Sequence, residues 1–154
     1  MSSARTVPLH PPSAPGALTP QLQAQIERVF ALQRETALRL RSSTISERIA
    51  RLKRLRATIL AHRDSILDAA TRDFRRPAAE TEFTELMPVL TDISDHCRQL
   101  KKWLKPRRMR STMMMMGTEA WVRYEPRGRC LIIAPGNYPV TLTLGPLVPA
   151  IACG

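Results

Sequence analysis

"LIIAPGNYPVTLTLGPLVPAIACG", residues 131–154, decides the fold. The stretch carries no charge in a chain whose formal net charge is +11. It continues an apolar run that starts at Cys130, the pattern of a strand buried on both faces. A Pro-Gly-Asn-Tyr-Pro loop breaks the run, and "TLTLGPLVPAIACG" resumes it as the start of a helix packed on that strand. Strand, loop and helix open a βα unit, whose strand is buried only against parallel neighbours. No later segment supplies those neighbours, so the sequence reads as a beginning without its continuation. Length and lack of charge alone would let the stretch cross a membrane. Pro135, Pro139, Pro146, Pro149 and Asn137 argue against a span, because each proline removes a helix hydrogen bond that lipid cannot replace.

Working outward from there, "EAWVRYEP" alternates Ala120, Val122 and Tyr124 against Trp121, Arg123 and Glu125, the period of a strand. With a turn at Arg127-Gly128 it makes a hairpin-like pair with the strand of "GRCLIIAP". Upstream the pattern is helical. Thr19 and Pro20 suit an N-cap and a first helical position, and Leu22, Ile26, Val29, Phe30, Ala37 and Leu40 follow at helical spacing, predicting a helix over about 20–41. Thr44 and Glu47 form a capping-box pair at the head of a second helix, about 45–73, with Ile45, Ile49, Leu52, Leu55, Ile59, Ile66, Leu67 and Ala70 on one stripe. A third helix, about 79–104, presents Phe83, Leu86, Leu90, Ile93, Cys97, Leu100 and Leu104, with a bend or a lost hydrogen bond expected at Pro88. The expected fold class is therefore α/β: three N-terminal helices, a β-hairpin-like pair, and the first βα step of a larger sheet, truncated. Residues 1–18, rich in Pro, Ser and Ala with no apolar core segment, read as a disordered tail and not as a secretory signal; residues 19–154 read as the domain.

Composition bounds the partners. Twenty-four Lys and Arg against 13 Asp and Glu make nucleic acid a class to consider. The basic run "RQLKKWLKPRRMR" (98–110), with Trp103 for stacking, is where a phosphate backbone would bind. The same run also serves as the solvated end of an amphipathic helix, where cations are favourable, and no recognised nucleic-acid motif accompanies it. "MMMM" (113–116) reads as a connection packed under a neighbour, His62 and His96 as exposed surface residues, and Glu80, Glu82 and Glu85 as acidic residues favourable at a helix start. No metal site is indicated: Cys97, Cys130 and Cys153 show no CxxC pairing and no His at metal spacing. Scattered and odd in number, they fit a reducing compartment, the cytoplasm.

The loop "IIAPGNYP" differs from these. Ligands of open α/β sheets bind at the carboxyl ends of strands, where this loop sits. Asn137 places a neutral amide donor on a proline-stiffened support, as an oxyanion site requires. The alternative is a tight strand–helix connection with an Asn suited to turn geometry.

At this point the residues resemble a family. "RYEPRGRCLIIAPGNYPVTLTLGPLVPAIACG" is similar to the aldehyde dehydrogenase superfamily pattern Glu-Pro-x-Gly-x-x-x-x-Ile-x-Pro-Trp-Asn-Tyr-Pro, followed by Leu, Pro and Ala positions and Ala-Gly-Asn. Glu125, Pro126, Gly128, Ile133, Pro135, Asn137, Tyr138, Pro139, Pro146, Leu147, Ala150 and Gly154 match it. "SERIARLKRLRATILAHRDSILDAATRDF" and "ETEFTELMPVLTDISDHCRQLKKWLKP" resemble the N-terminal arm of the class 3 branch, and within it the coniferyl aldehyde dehydrogenases. The resemblance implies oxidation of an aldehyde, aromatic ones such as coniferyl aldehyde included, to the acid with NAD or NADP. It implies a Cys nucleophile and a Glu that activates water. It assigns oxyanion donation to Asn137 and cofactor contacts to Ile133, Ala134, Pro135, Gly136 and Asn137. Gly136 stands where the family has Trp, which loosens the placement of Asn137.

The resemblance makes the βα step the truncated opening of a Rossmann-like nucleotide-binding domain, and implies that the rest of the nucleotide-binding sheet, the Glu and Cys motifs and the oligomerisation strands lie beyond residue 154. A truncated gene or a partial gene model is then expected, with a 154-residue polypeptide that is inactive alone, poorly soluble, and not assembled as the homo-oligomeric full-length family members are. Two alternatives remain: a basic helical nucleic-acid-binding module, or a regulatory fragment that pairs with a full-length relative.

Overall fold

In a computed structural model, the described residues are 19–110 and 112–154. The tail expected over 1–18 lies outside them. Two units are distinguished, one ending at Arg34 and the other running from Glu35 to Gly154.

Helix α1 runs Pro20–Arg41, with the Thr19 hydroxyl accepting from the Leu22 amide at 3.3 Å. It has no buried residue, so the apolar stripe expected there is not a core face; Leu22, Ile26 and Val29 are all exposed. The second unit begins its core at a completed capping box. The Glu47 amide donates to the Thr44 hydroxyl at 3.2 Å, and the Thr44 amide donates to the Glu47 carboxylate at 2.7 Å. Two otherwise unpaired donors are thereby satisfied, and α2 (Ile45–Ala61) starts where the sequence places it.

The expected helix over 45–73 is two helices. His62 leaves helical geometry at φ −104°, ψ 9°, and α3 (Arg63–Phe74) sets off from it. Its first residue, Arg63, forks onto Glu82, with bonds of 2.8 and 2.5 Å. The third expected helix is also composite. After α4 (Ala78–Thr81) comes a π turn over Glu82–Leu86, then α5 (Met87–Trp103). Pro88 explains the turn, since it has no amide for an i→i−4 bond, and the widened turn absorbs that loss without breaking the helix. The extra residue also shifts the buried face. Phe83, expected inside, is 67% exposed, whereas Thr81, Glu85, Leu86 and Val89 are buried.

After α5 the chain forms a two-stranded antiparallel sheet, β1 (Arg107–Met109) with β2 (Ala120–Val122), in register Arg107↔Val122 and Met109↔Ala120. The strand expected at 120–125 is present over 120–122, but its partner is the upstream segment 107–109 and not the expected 128–135. The basic run is the exposed end of α5 as far as Trp103, as expected, and beyond it contributes β1. The segment 129–135 is not a strand. Leu131 and Ile133 are 86% and 84% exposed, and no strand lies beside them among the described residues. A buried parallel strand requires neighbours on its edges, so the extended run stays unpaired.

Helix α6 (Pro139–Cys153) closes the core. Val148 and Ala152 pack with Leu52 and Ile59 of α2, Leu67 of α3, and Val89, Ile93 and Leu100 of α5. Among the described residues, no helix is long and apolar enough to cross a membrane.

Candidate functional site

Helix α6 has no charged residue of its own and carries Pro146 and Pro149 internally, so its ends and its packing must hold it. Each end meets a buried charge of the favourable sign from another helix. At the N-terminus Glu85, wholly buried in the π turn, accepts from the Val140 amide at 2.7 Å and the Thr141 amide at 3.4 Å. A carboxylate there satisfies orphan donors and opposes the positive end of the helix dipole. At the C-terminus the nearly buried Arg48 donates to the Cys153 carbonyl at 2.5 Å and the Ala152 carbonyl at 3.3 Å. Its Nε also bonds the Ser43 carbonyl at 3.2 Å. Gly154 (φ +99°) suits this place, since its backbone is in the left-handed region and a Cβ 2.7 Å from the guanidinium carbon would push the Arg48 side chain aside.

Glu85 has a second partner. Arg75 adopts the left-handed conformation (φ 53°) that ends α3 and reverses the chain. Arg76 then reaches back into the fold, its side chain only 11% exposed, and donates from Nη1 to Glu85 Oε1 at 2.6 Å. From Nη2 it donates to the Asn137 carbonyl at 2.8 Å. Its guanidinium lies 4.5 Å from the Tyr138 ring centroid and 5.3 Å from that of Phe74, both within cation–π range. The loop expected to carry function is thus tied to α3 and the π turn through its backbone.

The five residues assigned to the site lie together on this loop. Ile133, Pro135, Gly136 and Asn137 are exposed, and Ala134 is half-buried. Gly136 does not need to be glycine: a Cβ would meet nothing within 4 Å, and its φ is not positive. Space for a larger side chain is open there. The segment suits a nicotinamide cofactor in chemistry, since it offers apolar side chains and a neutral carboxamide and carries no charge to oppose either redox state. A groove of about 490 Å³ lies nearby, lined by Leu131, Ile132, Pro146, Pro149 and Ala150, and its lining excludes 133–137.

Arg48, Arg76 and Glu85 are the residues that sequence reasoning missed. For Glu85 a signal existed: it stands one turn before Val89 on the apolar line of the helix, a position that solvated acids avoid. Arg48 likewise falls between Ile45 and Leu52 on the α2 stripe. The other two acids of the 80–85 run also have partners. Glu82 pairs with Arg63, and Glu80 lies 3.7 Å from Arg76.

Elsewhere the side chains stand apart from this loop. His62 is exposed, but His96 is not: it is half-buried between Asp92 (3.0 Å) and the edge of Trp103 (5.1 Å between centroids). Met113, Met114 and Met116 are 87%, 98% and 81% exposed, so these three do not pack under a neighbour as expected; residues 113–115 form a short 3₁₀ turn between β1 and β2. Within the basic run, Arg98 pairs with Asp95 and Arg108 pairs with Glu119. Among the described residues, no group of His, Cys, Asp or Glu could hold a metal ion. Burial pushes the half-buried Cys97 thiol up from its ordinary pKa, which makes it a poorer nucleophile at neutral pH. The hydrogen bonds from Arg63 hold the Glu82 carboxyl below its usual range, and the Thr44 amide and hydroxyl do the same for Glu47.

The family model described as "Aldehyde dehydrogenase family" matches residues 16–154. The chain is 37% identical over 131 residues to the "Probable coniferyl aldehyde dehydrogenase" of Pseudomonas aeruginosa, covering 84% of this chain and 28% of that one. It is 36% identical over 107 residues to "Aldehyde dehydrogenase family 3 member B1" of Homo sapiens, covering 70% of this chain and 23% of that one. Its fold matches the solved structure "Substrate bound state of Staphylococcus Aureus AldH" with a TM-score of 0.80 at 32% identity, over 84% of this chain and 28% of that chain. The chain spans under a third of the length of these relatives.

Proposed function

The chain belongs to the aldehyde dehydrogenase family, and on that premise we propose that it supplies the oxyanion-binding loop of an enzyme that oxidises an aldehyde to its acid with NAD or NADP. The observation that carries this is the loop at 133–137, where Asn137 presents an exposed carboxamide on a backbone fastened to a buried ion pair. When a thiolate adds to an aldehyde, charge develops on the carbonyl oxygen. A neutral amide N–H on a fixed support stabilises that charge without being spent on an ion pair of its own. Asn137 has this role. Ile133, Ala134, Pro135, Gly136 and Asn137 would hold the nicotinamide cofactor, which accepts the hydride when bound. The nucleophile is not Cys97, Cys130 or Cys153. The first is half-buried with a raised pKa, the second precedes the loop, and the third ends α6 on Arg48. The nucleophile and the water-activating carboxylate belong to the part of the family's length that this chain does not span.

The proposed substrate is an aromatic aldehyde of the coniferyl kind, which rests on the name of the Pseudomonas aeruginosa relative. The proposed compartment is the cytoplasm, which the three free thiols suit. The test is a chimera in which this chain replaces the matching segment of that relative, assayed at 340 nm with coniferyl aldehyde and NAD or NADP. Aldehyde-dependent cofactor reduction supports the proposal. A folded chimera that reduces neither cofactor refutes it.

A further inference from the structure

We propose that Arg76 is a positioning residue for Asn137, acting through the peptide backbone; this rests on Asn137 being the oxyanion donor. The guanidinium is planar, so its two forked bonds share a plane. One runs to Glu85 at 2.6 Å and the other to the Asn137 carbonyl at 2.8 Å. The Tyr138 ring 4.5 Å from its centre limits motion out of that plane. Glu85 in turn is anchored by the Val140 amide at 2.7 Å, on the far side of the loop. The loop is therefore gripped on both sides by one buried carboxylate, directly at Val140 and through Arg76 at Asn137. Fixing the carbonyl of residue 137 fixes the plane of the 137–138 peptide, and with ψ of residue 137 held by the loop this narrows the directions in which its Cβ can leave the chain. That direction sets where the carboxamide can donate. Gly136 makes the grip matter more, because nothing packs at its Cα and the residue lends the loop no side-chain support.

The experiment has two arms. In the ¹⁵N-labelled full chain, backbone order parameters at Asn137 and Tyr138 are compared between the wild type and Arg76→Met. The expected values are about 0.85 in the wild type and below about 0.6 in the variant, with the amides of Leu52 and Ile93 unchanged. Since R76M alone strands a buried carboxylate, the double variant R76M/E85Q is measured beside it; its Gln oxygen still accepts from Val140, and the same loosening is expected. Unchanged order at 137–138 in both variants overturns the proposal, as does an equal loss throughout the core. In the chimera, R76M is expected to lower kcat about 10- to 100-fold with KM for the aldehyde nearly unchanged, and to do so only when Asn137 is present. An equal drop in an Asn137→Ala background shows that Arg76 does not act through Asn137 and overturns the proposal. An Asn137→Ala change without effect on kcat, together with loosening in the first arm, sinks the oxyanion assignment and leaves the grip itself standing.

Discussion

Glu85 is the residue on which most of the site depends, and its replacement by alanine makes a quantitative test. The carboxylate is 0% exposed and its partner Arg76 is 11% exposed, so the pair is only slightly screened by water. Removing one member of a buried pair costs about 3–5 kcal/mol, most of it from the charge left unpaired. Two features place this case at the lower end. Arg76 keeps some solvent contact, and Glu80 lies 3.7 Å away to take up part of the charge. Against that, the alanine variant also strands the Val140 amide, whose bond to Glu85 is 2.7 Å. The expected loss is about 3 kcal/mol, or roughly 6–12 °C in Tm for a chain of this size. Urea unfolding followed by far-UV circular dichroism reads it, with the slope checked for constancy. Glu85→Gln keeps the shape and one acceptor, so it should cost only about 1–2 kcal/mol. Glu85→Ala with Arg76→Ala should cost less than the sum of the singles by about 1–3 kcal/mol, because the second change removes the charge that the first exposes. An alanine variant within 0.5 kcal/mol of wild type, or strict additivity in the double variant, would refute the reasoning.

Two further outcomes follow from the same geometry. Arg48→Met removes the cation from the C-terminus of α6 and leaves the Ala152 and Cys153 carbonyls without it. Part of that loss is offset by relief of guanidinium burial, so a cost of about 2 kcal/mol is expected in the same urea assay, and a neutral result would contradict the assignment. In acid, Glu82 and Glu47 have folded pKa values below their unfolded ones. Their stabilisation is therefore present above the ordinary carboxylate range and is lost as pH falls through the depressed values. Stability measured from pH 6 down to pH 3 should decline, and the double variant Glu47→Gln/Glu82→Gln should decline less steeply.

Much of the architecture was legible in the sequence because it is local. The Thr44–Glu47 capping box rests on contacts within a few residues, and the periodic spacing of Leu52, Ile59, Leu67, Leu86, Ile93 and Leu100 marks residues that are buried. The family pattern around Asn137 was legible for the same reason. The strand expected at 130–135 was not found. Its pattern encodes burial against neighbouring strands, and an apolar run cannot pair with itself. The breaks at His62 and the π turn were hidden because periodicity survives a one-residue slip well enough to look continuous. The positions of Arg48 and Glu85 on apolar faces were visible, but what they bind was hidden for a different reason. Their partners, the backbone groups of Cys153 and Val140, lie 105 and 55 residues away, and backbone groups leave no mark in a sequence.

The measurement that tests the account most directly is kcat of the chimera with Asn137 replaced by alanine. If Asn137 donates to the developing oxyanion, kcat should fall about 10²- to 10³-fold at saturating cofactor. A fall of less than about threefold, in a chimera whose fold and Tm match the parent, would contradict the central claim.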